Sequence, residues 1–148
     1  MREQEQHGLD PRYDWVGPAD NLSNIRPIKL RILNNESASE REYRRAREAL
    51  NEWNCEFWAK HNKLFEERKS DFFKQACLTL LSRKKQLGRL NHVSANDFST
   101  FYKDFLNEQA SVFSGYNKEW YRRNFQLIWP AIRVNFIRFR RMLTGGRV

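Results

Sequence analysis

The stretch SASEREYRRAREALNEWNCEFWAKHNKLFEERKSDFFKQACLTLLSRKKQL, residues 37–87, contains no glycine and no proline. It opens with Ser37 and Glu40 in the spacing of a capping box, with Ser39 and Glu42 as a competing register. In such a box the hydroxyl accepts from the third helical N–H and the carboxylate accepts from the N–H of the cap. Apolar groups then recur at Tyr43, Ala46, Leu50, Trp53, Phe57 and Leu64, widened by Trp58 and Phe65. This period puts them on one face of a helix. The rhythm continues through Phe72, Phe73, Ala76, Cys77, Leu80, Leu81 and Leu87, and Gly88 supplies a stop. One helix of about 50 residues would run about 75 Å, beyond the usual globular length. One long helix and a hairpin broken near Glu66 to Asp71 both remain open.

Downstream, residues 89–93 read as a loop, and Ser94 with Asp97 opens a second helix carrying Phe98, Phe101, Tyr102, Phe105, Leu106, Val112 and Phe113 on one face. Gly115 is expected to end it. A third helix follows over about 118–143, with the stripe Tyr121, Phe125, Ile128, Ile132, Phe136, Phe139 and Leu143. Pro130 inside this run lacks a donor and its ring crowds the preceding turn, so a kink is expected. Gly145 and Gly146 close it.

Upstream, residues 1–36 read as an extended N-terminal arm. Gly17-Pro18 and Arg26-Pro27 favour turns or extended backbone, and Asp14, Asp20, Asn21, Ser23 and Asn24 suit side-chain turns. Trp15, Val16, Leu22, Ile25 and Ile28 are apolar anchors between them. They fit either an arm packed on a helical body or a docking epitope. A weak alternation from Pro27 to Leu33 suggests an edge strand. The architecture expected is all-α: an arm over 1–36 packed on one helical domain, 37–148, that ends in a basic amphipathic helix.

The chain has 148 residues, 40% of them apolar and 14% aromatic, enough for one domain with a core and too apolar for wholesale disorder. Two cysteines exclude a disulfide-stapled miniprotein or a Cys-rich zinc module. The formal charge is +9. Residues 1–74 hold 14 basic and 14 acidic groups, whereas residues 75–148 hold 13 basic and 4 acidic ones. From Trp120 onward there are seven arginines and no acid. The excess is therefore a C-terminal property and directs that end towards something anionic. No stretch is long and apolar enough to span a membrane. MREQEQHGLDPRYDW lacks a secretory core and is acidic for a mitochondrial presequence.

Catalytic patterns are missing: the sequence holds no glycine-rich phosphate loop, GxSxG, HExxH or CxxC. The chain is therefore read as a non-enzyme. Cys55 and His61 form a weak haem or metal pair without the CxxCH attachment motif. The alternative is that both cysteines are structural. On one continuous helix Cys55 and Cys77 would lie about 33 Å apart, too far for a disulfide, so a bridge would require a break between them.

From Phe125 to Ile137 only Arg133 is charged, with Arg122, Arg123, Arg138, Arg140 and Arg141 on the flanks. That matches an interfacial membrane helix, with Trp129, Ile132 and Phe136 facing lipid beside Arg138, Arg140 and Arg141. It also matches a core helix whose arginines face water. Within the block 121–125, Tyr121 and Phe125 share the apolar stripe and are expected to be core. Arg122 and Arg123 point elsewhere, available to an anionic partner. Nucleic-acid binding is the weaker reading, because no named motif accompanies the interleaved arginines and aromatics.

DWVGPADNLSNIRPI at 14–28, EWNCEFWAKHNKLF at 52–65, FYKDFL at 101–106 and YNKEWYRRNF at 116–125 resemble, in the same order, the blocks of the mitochondrial apoptogenic protein 1 family, also called cytochrome c oxidase assembly factor 8. The resemblance covers about residues 14–125 and implies a nucleus-encoded mitochondrial protein, peripheral on the matrix side of the inner membrane. It implies a role in assembling, stabilising or protecting cytochrome c oxidase, respiratory complex IV, without enzymatic activity. The family name also carries an apoptotic role. The partners implied are oxidase subunits or assembly intermediates, together with anionic lipid of that membrane. Family precursors carry a basic import presequence, which this chain does not show; a mature or truncated form is the expectation. Candidate partner-binding residues are Trp15, Asn24, Arg26, Trp53, Asn54, Trp58, Trp120, Arg122, Arg123 and Asn124. The rival readings are a mitochondrial RNA-binding protein acting on oxidase subunit expression and a haem or redox chaperone for the oxidase. No cofactor is required, and haem is the one that Cys55 and His61 would suit.

Overall fold

The computed structural model describes residue 10, residues 12–87 and residues 95–144. The elements run β1 (Trp15–Val16), β2 (Ile28–Lys29), α1 (Ala38–Leu87) and α2 (Ala95–Leu143). The fold is all-α apart from this two-strand ribbon.

α1 is a single uninterrupted helix of 50 residues, which decides between the two arrangements above. Its start is the Ser37/Glu40 box: Ser37 N–H donates to Glu40 Oε2 at 2.9 Å and Glu40 N–H to Ser37 Oγ at 3.3 Å. The helix begins at Ala38, so Ser39 lies inside it and the register from Ser39 does not form; Glu40 is 2% exposed. The stripe Tyr43, Ala46, Leu50, Trp53, Phe57 and Leu64 is half-buried throughout.

The three helices expected after the arm are two. α2 runs through Gly115 and Pro130 without a break. A mid-helix glycine costs about 1 kcal/mol relative to alanine. That is less than the burial obtained by keeping Phe113 and Tyr116, the half-buried aromatics on either side of Gly115, on one helix, so packing overrides the local stop. A Cβ at Gly115 would meet nothing within 4 Å. The Gly88 stop, the loop at 89–93, the Ser94 cap and the Gly145-Gly146 end lie outside the described residues.

The described residues form two compact units. One holds the arm, α1 to Ala59 and α2 from Glu119; the other holds Lys60–Lys118. In the second unit, Phe105 is 3% exposed. The rings of Phe65 and His61 lie 5.2 and 5.5 Å from it, and Phe72 stacks on Phe101 at 4.9 Å. Burial lowers the pKa of His61, which favours the neutral imidazole against Phe105 and Phe113.

In the first unit the arm folds back on itself. β1 and β2 pair antiparallel, Trp15 opposite Lys29 and Val16 opposite Ile28. The strand expected over Pro27–Leu33 is real but only two residues long. The connection is built by side chains, because a short polar loop must satisfy its own N–H groups. Asp20 Oδ1 accepts from Leu22 N–H and Ser23 N–H, and Ser23 Oγ accepts from Ile25 N–H. Asn24 takes the left-handed conformation at φ 58°, which asparagine tolerates well. α1 then supplies the arm with hydrogen-bond partners. Asn51 Oδ1 accepts from Ile28 N–H at 3.1 Å, Asn51 Nδ2 donates to the Arg26 carbonyl at 3.1 Å, and Glu48 accepts from Leu30 N–H at 2.9 Å.

Gly17 is buried, and a Cβ there would run into the Trp15 indole and the Pro27 ring. Gly17→Ala is therefore expected to destabilise the first unit by about 1–3 kcal/mol through overpacking. Thermal melting should fall, with hydrogen exchange rising first at the Gly17 and Ile28 amides. Unchanged protection of both amides would show that the indole yields without cost.

Candidate functional site

The C-terminal half of α2 carries apolar residues on two opposite sides. One side faces α1 and the arm: Trp120, Asn124, Leu127, Ala131 and Ile137 are half-buried, and Val134 is 1% exposed. The other side is the stripe seen in the sequence, and it is open. Phe125 is 66% exposed, Trp129 71%, Ile132 54%, Phe136 65% and Leu143 68%, with Tyr121, Ile128 and Phe139 alike. The expectation that Tyr121 and Phe125 are core residues is overturned, since a second stripe, from Trp120 to Ile137 and centred on Val134, takes the inner face. The open stripe is about 100° wide, the width of a helix face that normally packs against something.

The arginines divide into two sets. Arg141 and Arg138 turn to α1, where Arg141 Nη2 donates to Glu40 Oε2 at 2.9 Å and Arg138 Nε to Glu40 Oε1 at 3.3 Å. Arg141 also donates to the Asn35 carbonyl at 3.3 Å. Arg138 and Arg141 thus clamp the first turn of α1. Burial by itself raises the pKa of the Glu40 carboxyl. The Ser37 N–H, Arg141, the Ser37 hydroxyl and Arg138 together outweigh it and hold it at about 2.

Arg123 is half-buried, not pointed away: its guanidinium lies 4.4 Å from the Trp53 ring centroid and bonds Glu119 at 2.6 Å. Arg122 is exposed and grips the same carboxylate. Hydrogen bonds from Arg122, then Arg123, hold Glu119 at about 2. Arg133 and Arg140 are exposed and form no side-chain hydrogen bond or ion pair with the described residues.

Of the other candidates, Trp53 and Arg123 are brought together. Trp15 is half-buried over Gly17, and Trp58 is half-buried with its ring edge-on to Phe57 at 5.6 Å. Asn54 is half-buried. Asn124 bonds the Trp120 carbonyl one turn back. Asn24 shapes the arm loop, and Arg26 contributes its carbonyl. Asn51, Glu48 and the cross-chain role of Glu40 escaped sequence reading, because polar residues on a helix surface carry no signal of a distant backbone partner. Cys55 is half-buried in the first unit and His61 lies in the second; neither Cys55 nor Cys77 is in a disulfide. Among the described residues no group of three His, Cys, Asp or Glu side chains is placed to hold a metal ion, and no helix is long and apolar enough to cross a membrane.

The chain matches the family model described as cytochrome c oxidase assembly factor 8 over residues 13–140. It is 58% identical over 134 residues to a mitochondrial COA8 family protein of Caenorhabditis elegans, spanning 90% of this chain and 89% of that one. It is 36% identical over 116 residues to human cytochrome c oxidase assembly factor 8, spanning 78% of this chain and 56% of that one. A mitochondrial relative from Drosophila melanogaster is 36% identical over 135 residues, spanning 89% and 72%. No solved structure matches.

Proposed function

We propose, because the chain belongs to the cytochrome c oxidase assembly factor 8 family, that it takes part in the assembly of cytochrome c oxidase in mitochondria. The match over residues 13–140 carries this reading. In its finer form the protein is a non-enzymatic factor that holds an assembling subunit or intermediate and protects it. It rests peripherally on the matrix face of the inner membrane. The open stripe of α2 supports a holding role, since an exposed apolar face of this extent marks an interaction site. Arginines beside it support an anionic surface as one of its contacts.

Depleting the protein in its source organism is expected to lower assembled cytochrome c oxidase on native gels while the other respiratory complexes stay at their normal level. The tagged chain should co-purify with oxidase subunits. Normal oxidase levels after complete depletion would overturn the reading.

A further inference from the structure

We infer that the outer face of α2 from Tyr121 to Leu143 is an interfacial helix for an anionic phospholipid surface. Trp129 and Phe136 enter the headgroup boundary, and Arg133 and Arg140 take the lipid phosphates. This rests on the peripheral-membrane reading and names the face and the cations that perform it.

Three observations carry the assignment. First, the face is apolar along its full length, about 33 Å of helix, with Trp129 71% and Phe136 65% exposed. No described residue covers these two side chains. Second, Arg133 and Arg140 are seven residues apart, about two turns, and so form one row along one border of the stripe. They are the exposed arginines of this helix without an ion-pair partner among the described residues. Arg122 extends the row but is already held by Glu119 at 2.6 Å, and Arg123, Arg138 and Arg141 are bound to Trp53, Glu119 and Glu40. Third, no acidic residue follows Glu119 in the chain, so α2 itself places no carboxylate within the face. An aromatic indole beside a cationic row is the composition of the membrane–water boundary. A protein partner would instead need matching carboxylates at the two arginines.

The test uses the full chain and sedimentation with phosphatidylcholine vesicles, alone or containing phosphatidylglycerol or cardiolipin. The wild-type chain should bind both anionic vesicles, bind neutral ones far less, and come off as salt is raised. Arg133→Gln with Arg140→Gln should lower anionic partitioning about 30-fold. Arg45→Gln with Lys103→Gln, exposed cations elsewhere, leaves the same net charge and should change it less than about threefold. Trp129→Ala should weaken binding to every vesicle by a salt-insensitive factor. Circular dichroism should be unchanged in all variants, since these side chains are exposed.

If the wild-type chain binds anionic vesicles but both double variants weaken it equally, the membrane reading stands and the assigned face is wrong. If it ignores anionic vesicles, the lipid assignment fails. Dimerisation lost in Phe136→Asp would then give the face to a second copy, and RNA binding lost in Arg133→Gln with Arg140→Gln would give it to nucleic acid.

Discussion

Glu40→Gln is expected to destabilise the first unit by about 3 kcal/mol at neutral pH and to lower its melting temperature by about 10 °C. The side chain is 2% exposed and accepts from Ser37, Arg138 and Arg141. Glutamine preserves the size but removes the charge. Arg141 is then left partly buried, its side chain 17% exposed, beside a neutral amide. Arg138, 48% exposed, recovers solvation from water, so the lower end of the usual cost of a broken buried pair applies.

The same magnitude follows from the depressed pKa of the Glu40 carboxyl. The pKa falls from 4.5 to about 2 on folding, equivalent to about 3 kcal/mol. A depressed carboxylate contributes its stability above the unfolded value. Stability from Glu40 is therefore fully present above about pH 5 and is lost as pH falls towards 2. The wild-type chain should lose stability through that window and Glu40→Gln should lose less. Identical acid slopes in the two proteins would show that the clamp does not contribute.

Val134→Asp is expected to unfold the first unit outright, whereas Phe136→Asp leaves helicity and melting nearly unchanged. The two positions are two residues apart on one helix, and a core-stripe reading of the sequence ranks Phe136 as the greater loss. The structure reverses this order: Val134 is 1% exposed and Phe136 65%. A carboxylate at position 134 would be buried without a partner, at a cost of several kcal/mol, comparable with the whole stability of a small domain. At position 136 it points into water and costs at most the lower helix propensity of aspartate, under about 1 kcal/mol. Near-equal melting of the two variants would mean that the outer stripe is covered after all.

Much of the fold was legible because its causes are local. The Ser37/Glu40 box sets the start of α1 through bonds spanning three residues. The three-and-four spacing from Tyr43 to Leu64 marks the inner face of α1, which is half-buried as the period requires. The arm's turn residues, Asp20, Ser23 and Asn24, satisfy the loop among themselves. The four ordered blocks, three of them bearing Trp, placed the chain in its family, and the match over residues 13–140 agrees. Gly115 misled because a local helix stop of about 1 kcal/mol yields to aromatic packing on either side of it.

The sequence by itself determined that this is an all-α chain of an oxidase assembly-factor family with a basic, apolar C-terminal helix. Only the tertiary structure decided which side of that helix is inside and which arginines are spent. Periodicity reports that residues share a face, and α2 carries two apolar faces, Val134 on one and Phe125 to Phe136 on the other. Hydrophobic burial is non-directional, so either stripe could have packed as far as local pattern goes. The choice falls to shape at the arm and α1, and to Glu40, which draws in Arg141 from 101 residues away. An ion pair between such distant positions leaves no mark in either local sequence, yet it turns one set of arginines inward and leaves Arg133 and Arg140 facing out.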